Sequence, residues 1–194
     1  CLSRGLGDVY KRQDGKFIYK NNGTEFSPAD SAYSGMILGY TDIGYDEAEA
    51  SYNLTTAYVV PNNEFKVSFV VPPSENVLIE VQIQHDVGSS GVGDLYAGLS
   101  TTNFTTGYTA LKDYHEIKIN DGGGRGFIST VNISWTLTAA DLPNAGVTEE
   151  IWVGFKTVSI TGTPHLQWGG DAADKSPDFI MKATALPATI YTGA

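Results

Sequence analysis

Cysteine is almost absent: Cys1 is the single one among 194 residues. That excludes an internal disulfide framework, a thiolate zinc site and a CxxC redox pair. Basic residues are scarce, with 12 Lys and Arg against 22 Asp and Glu and a formal net charge of −10. Lys and Arg supply the affinity for a phosphate backbone and for an anionic membrane surface. Nucleic acid and membrane are therefore not expected partners. No apolar run approaches the roughly 18 residues of a spanning helix, so no helical membrane span is expected. The three histidines, His85, His115 and His165, form no HExxH pattern and no helix-spaced pair. A helix-borne zinc site is thus excluded, and the three read as ordinary strand-end or surface residues. GxSxG is missing, so no nucleophile elbow is expected. The glycine-rich runs at 88–93 and 121–126 lack the Lys-Ser/Thr of a P-loop and precede no helix. They read as loops.

What the chain does have is period-two alternation. Phe65, Val67 and Phe69 alternate with Lys66, Ser68 and Val70; Val77, Ile79, Val81 and Ile83 alternate with Leu78, Glu80, Gln82 and Gln84. Val131, Ile133, Trp135 and Leu137 alternate with Asn132, Ser134 and Thr136, and Ile151, Val153 and Phe155 with Trp152, Gly154 and Lys156. Each run fits a strand with one face in a core and the other in water. Weaker strand candidates lie at 16–20, 51–60, 95–100, 116–120, 165–168 and 179–184. Residues 34–40 read as extended, and 139–145 as a single helical turn. Proline cannot donate to a central ladder, so Pro61 and the Pro72-Pro73 pair mark turns. The second turn is short, which predicts an antiparallel hairpin of 64–71 with 77–84.

About ten short strands separated by turn signals predict an all-β fold, an antiparallel β-sandwich that is jelly-roll-like. The expected core is Phe65, Val67, Phe69, Ile79, Val81, Ile133, Trp135, Val153 and Phe155. Residues 33–187 read as one domain, 14–32 as a connector with a turn at Asn21-Asn22-Gly23, and 188–194 as a tail. Residues 1–13 (CLSRGLGDVYKRQ) resemble the translated read-through of a sequencing-library adapter. That resemblance implies a disordered leader without evolved fold information, and a natural chain that begins upstream.

Chemistry is harder to find. Acidic runs at 42–49 and 171–178 offer the oxygen ligands that calcium takes, but without EF-hand spacing, and solubility is the simpler reading. Glu80, Gln82 and Gln84 form an outward polar row that could line a sugar groove. With Glu116 as a second acid it would have the parts of a glycosidase site, although a solvated strand face is the plainer reading. Trp152, Trp168 and Tyr96 read as exposed rings that stack on a glycan or anchor a subunit interface. No catalytic residue, cofactor or metal is expected.

Several stretches resemble a group of marine tailed-phage virion proteins, cyanophage-like and tail-fibre-like. They are 33–41 (YSGMILGYT), 65–83 (FKVSFVVPPSENVLIEVQI), 95–100 (LYAGLS), 151–156 (IWVGFK), 166–170 (LQWGG) and 177–190 (PDFIMKATALPATI). The resemblance implies a non-enzymatic component of the virion, in a tail fibre, appendage or capsid decoration, with a β-sandwich head. It carries over no site residues. The expected partners are copies of the chain itself, a homotrimer being one arrangement, together with other virion proteins and a host surface glycan. The alternative reading is a carbohydrate-binding, receptor-recognising module.

Overall fold

The structure, a computed structural model, describes residues 8–11, 17–21, 24–26, 34–44, 50–87, 92–103, 110–112, 114–117, 128–170 and 176–190. Among them there is no helix, and every strand pairing is antiparallel. Where the sequence reading expects a leader and a connector, β1 (Asp8–Lys11), β2 (Phe17–Asn21) and β3 (Thr24–Phe26) pair in the order β1-β2-β3. The expected turn at Asn22-Gly23 and the tail beyond residue 190 lie outside the described residues.

The remaining strands form two sheets. The long sheet is laid out in four columns. At one side stands β10 (Ile128–Leu137), paired along its whole length with β7 (Val77–Asp86). On its other side β7 meets two strands end to end, β13 (Phe179–Ala185) and then β12 (His165–Trp168). These pair in turn with β4 (Ile37–Ile43) and β5 (Ala50–Asn53). The short sheet runs in the order β6 (Lys66–Val70), β11 (Thr148–Thr161), β8 (Val92–Ser100), β9 (His115–Ile117).

The expected hairpin of 64–71 with 77–84 does not form. β6 lies in the short sheet and β7 in the long one, so the Pro72-Pro73 turn is a corner between sheets. Neither proline has an N–H to extend a ladder, and Val71 N–H donates to Val147 O across the corner. An apolar face on each strand suits both arrangements, because both strands face one core. The expected strand at 51–60 also divides. After β5 it leaves the long sheet, and Val59 and Phe155 exchange both backbone hydrogen bonds in the short one. The segment 139–145 holds turns, closed by Leu142 N–H on Thr138 O, and no helix.

All nine expected core residues are buried. Phe65 joins the sheets: its ring stacks on Phe179 at 3.8 Å and meets Trp168 and Phe155 edge-on at 4.9 and 6.4 Å. At one seam the sheets come together directly. Thr41 Oγ1 donates to Lys66 O, and a methyl group on Gly39 would stand 2.4 Å from Ser68 O. Any side chain at 39 would force β4 away from β6. The result is two antiparallel sheets curled around one core.

Candidate functional site

The outward rows of the long sheet are set by strand register. On β7, Glu80, Gln82 and Gln84 alternate with buried Ile79, Val81 and Ile83. Glu80 stands between Ser134 on β10 and Lys182 on β13, and Lys182 lies opposite Tyr40 on β4. One row along, Gln82 stands between Asn132 and Ile180. Together these residues line an open groove of about 360 Å³. Glu80 and Lys182 form an ion pair at 2.8 Å. The Tyr40 ring is 53% exposed at one side. Glu80 is the single carboxylate among the groove's lining residues.

The expected site residues are dispersed. Glu80 and Gln82 are in the groove, but Gln84 is not: its amide donates to Gln167 Oε1 and Ser176 Oγ at 2.9 and 3.1 Å. Trp168 is a correction. It is 5% exposed and packed on Phe65 in the core, because it shares the inward phase of Leu166. Trp152 is a second correction. It lies in the outward phase of β11 as expected but is only 8% exposed, with the Lys66 ammonium 4.6 Å from its ring centre. Tyr96 lies on the outer face of the short sheet, where its hydroxyl donates to the Glu116 carboxylate. That hydrogen bond, chiefly, pushes the phenol up to about 12. Lys156 occupies the space among Tyr58, Tyr96 and Tyr114, at 4.7 to 6.0 Å from the ring centres. Of the expected rings, Trp152 and Tyr96 thus belong to the short sheet and the polar row to the long one, while Trp168 shares the long sheet but faces the core. Tyr40, Lys182, Asn132 and Ser134 complete the groove instead. Their outward phase is legible in their own strands, but the pairing that assembles them is not.

Among the histidines, His115 and His165 start strands as expected, and His85 departs from expectation. His85 points inward from β7 and is fully buried, and neither ring nitrogen has a hydrogen-bond partner among the described residues. Burial lowers its pKa to about 4. His165 lies on the outer face, 3.5 Å from Asp86, and His115 packs edge-on against Trp135 at 5.0 Å. The two acidic runs meet at Asp42 and Asp178. Burial, and then the Asp178 charge and hydrogen bond, raise the Asp42 carboxyl. Residues 45–49 and 171–175 of those runs, and most of both glycine-rich loops, lie outside the described residues. Among the described residues no three His, Cys, Asp or Glu side chains gather as a metal site.

Beside the groove runs β10, ISTVNISWTL. It pairs with β7 on one edge and with no described strand on the other. The strand carries no charge, proline or glycine, and its outward row of Ile128, Thr130, Asn132, Ser134 and Thr136 is exposed. Charge and proline are among the devices that usually blunt a free edge, and β10 carries neither. No protein-family model and no curated protein matches the chain.

Proposed function

We propose that the chain is a non-catalytic structural module of a phage virion, in a tail fibre, appendage or capsid decoration. Its jelly-roll-like sandwich works by assembling with copies of itself. The outer edge of β10, which no described strand pairs, carries this reading. An unpaired, uncharged ten-residue edge is a template for another strand. Two copies with a net charge of −10 each repel one another least where they present no charge. An antiparallel β10–β10 pairing satisfies the face rule as well. If outward residues meet outward residues, Thr, Asn and Ser side chains face one another, and Val131, Ile133 and Trp135 stay on the core side. The resemblance of the strand and turn stretches to tailed-phage virion proteins points to the virion as the setting. The lone, ion-paired carboxylate of the groove suits a non-catalytic role, since glycoside hydrolysis ordinarily uses two.

Light scattering over a wide concentration range tests this. The expected mass is that of two or more copies. The double variant Thr130→Lys/Thr136→Lys, which places like charges along the edge, should return the chain to a monomer with its circular dichroism unchanged. A strict monomer at high concentration, or an oligomer indifferent to the lysines, overturns the reading.

A further inference from the structure

We infer that the groove on the outer face of the long sheet is a binding site for a neutral oligosaccharide, independently of the assembly reading. Four of its properties converge on that ligand class. The amides of Gln82 and Asn132 are direct cross-strand neighbours on β7 and β10. A pair in this register has its Cβ atoms about 5 Å apart, so the two amides stand side by side. Neither amide makes a hydrogen bond among the described residues. Each therefore offers a free carbonyl acceptor and free N–H donors, the combination that adjacent sugar hydroxyls satisfy.

The groove's charges are compensated internally. Lys182 is held by Glu80 at 2.8 Å, so no free cation waits for an anion, and the net charge of −10 repels one. The Tyr40 ring supplies an exposed apolar face at the margin, suited to the C–H face of a pyranose. At about 360 Å³ the groove lies within the range of small-ligand sites. Its lining spans four strands, from Tyr40 on β4 to Ser134 on β10, so a chain of sugar units can lie across it. An apolar ligand would strand the amides and the ion pair without partners. The neutral, many-hydroxylated chain leaves none stranded.

Titration of the full chain with cellotetraose, laminaritetraose, chitotetraose and tetragalacturonate tests the inference. A neutral glycan array extends the panel. A neutral oligosaccharide should bind, with an affinity that hardly changes as salt is raised, because no ion pair with the ligand is screened. Tyr40→Ala should weaken binding about tenfold through the lost stacking. Gln82→Ala combined with Asn132→Ala should weaken it by about tenfold or more. All three residues are at least partly exposed, so circular dichroism should be unaltered. Thr130→Lys/Thr136→Lys, outside the groove, should leave binding intact, which separates this site from the assembly edge. Silence across the neutral array overturns the inference. So does preference for the uronate, or neutral binding that is indifferent to Tyr40→Ala and to the amide pair.

Discussion

Replacing His85 with leucine should stabilise the protein, and the gain should grow as the pH falls. The imidazole is 0% exposed, and both ring nitrogens lack partners among the described residues. An unsatisfied buried polar group costs about 1–3 kcal/mol, and leucine places an apolar side chain against Leu166 across the strand pair. The pH dependence follows from the lowered pKa. Burial depresses it from 6.5 to about 4; Asp86 opposes the change and His165 adds to it. Because the folded value lies below the unfolded one, the unfolded chain takes up the proton first as the pH drops. The neutral ring's contribution is full above about pH 6.5 and drains away toward about pH 4. That gap is worth about 3 kcal/mol. Urea denaturation of the parent and His85→Leu, followed by tryptophan fluorescence, should therefore give a stability difference that widens by about 3 kcal/mol between those limits. Asp42 and Glu149, both raised chiefly by burial, change stability in the opposite sense at the acidic end. For Asp141, the Lys112 ion pair and Thr138 hydrogen bonds outweigh burial and hold the pKa down. All three groups are common to both proteins and cancel in the difference. A difference flat with pH, or a leucine variant less stable at neutral pH, would refute the reasoning.

Two further substitutions, with a third as control, test the packing. Trp135→Ala removes a core ring that also meets His115, and it should cost about 3–5 kcal/mol in urea denaturation. An unchanged midpoint would place the ring outside the core. Gly39→Ala would set a methyl group 2.4 Å from Ser68 O. Forcing β4 and β6 apart should cost about 1–3 kcal/mol, read as a lowered melting midpoint, whereas Gly146→Ala, with no atom within 4 Å of the added carbon, should lose only what its positive φ imposes.

Much of the fold is written in alternation, because one buried face and one wet face repeat with period two in any half-buried strand. Residues such as Val81, Ile133 and Phe155 could be assigned to the core before their partners were known. Partnership is another matter. The pattern around Pro72-Pro73 is the same for a hairpin and for a corner between sheets, and the long-range pairings of β6 with β11 and of β7 with β10 and β13 distinguish them. The glycines after Trp168 suggest an exposed ring, although Leu166, two residues before it, already marks the inward phase. For Trp152 the alternation gives the outward phase but not the burial, since nothing local announces that Lys66 lies across its ring. His85 continues the inward phase of Ile79, Val81 and Ile83, and its polarity hid that. The groove was half legible: Glu80 and Gln82 belong to one strand, while Tyr40, Asn132 and Lys182 arrive from three others through long-range register.

The edge of β10 that no described strand pairs is the feature on which function turns, and hydrogen exchange at low and high protein concentration probes it residue by residue. Pairing with a second copy predicts that amides in 128–137 gain protection as concentration rises. Those of β4 and β5, at the opposite side of the sheet, should not change. Protection in 128–137 that ignores concentration, or that appears at β4 and β5 instead, would contradict assembly through this edge.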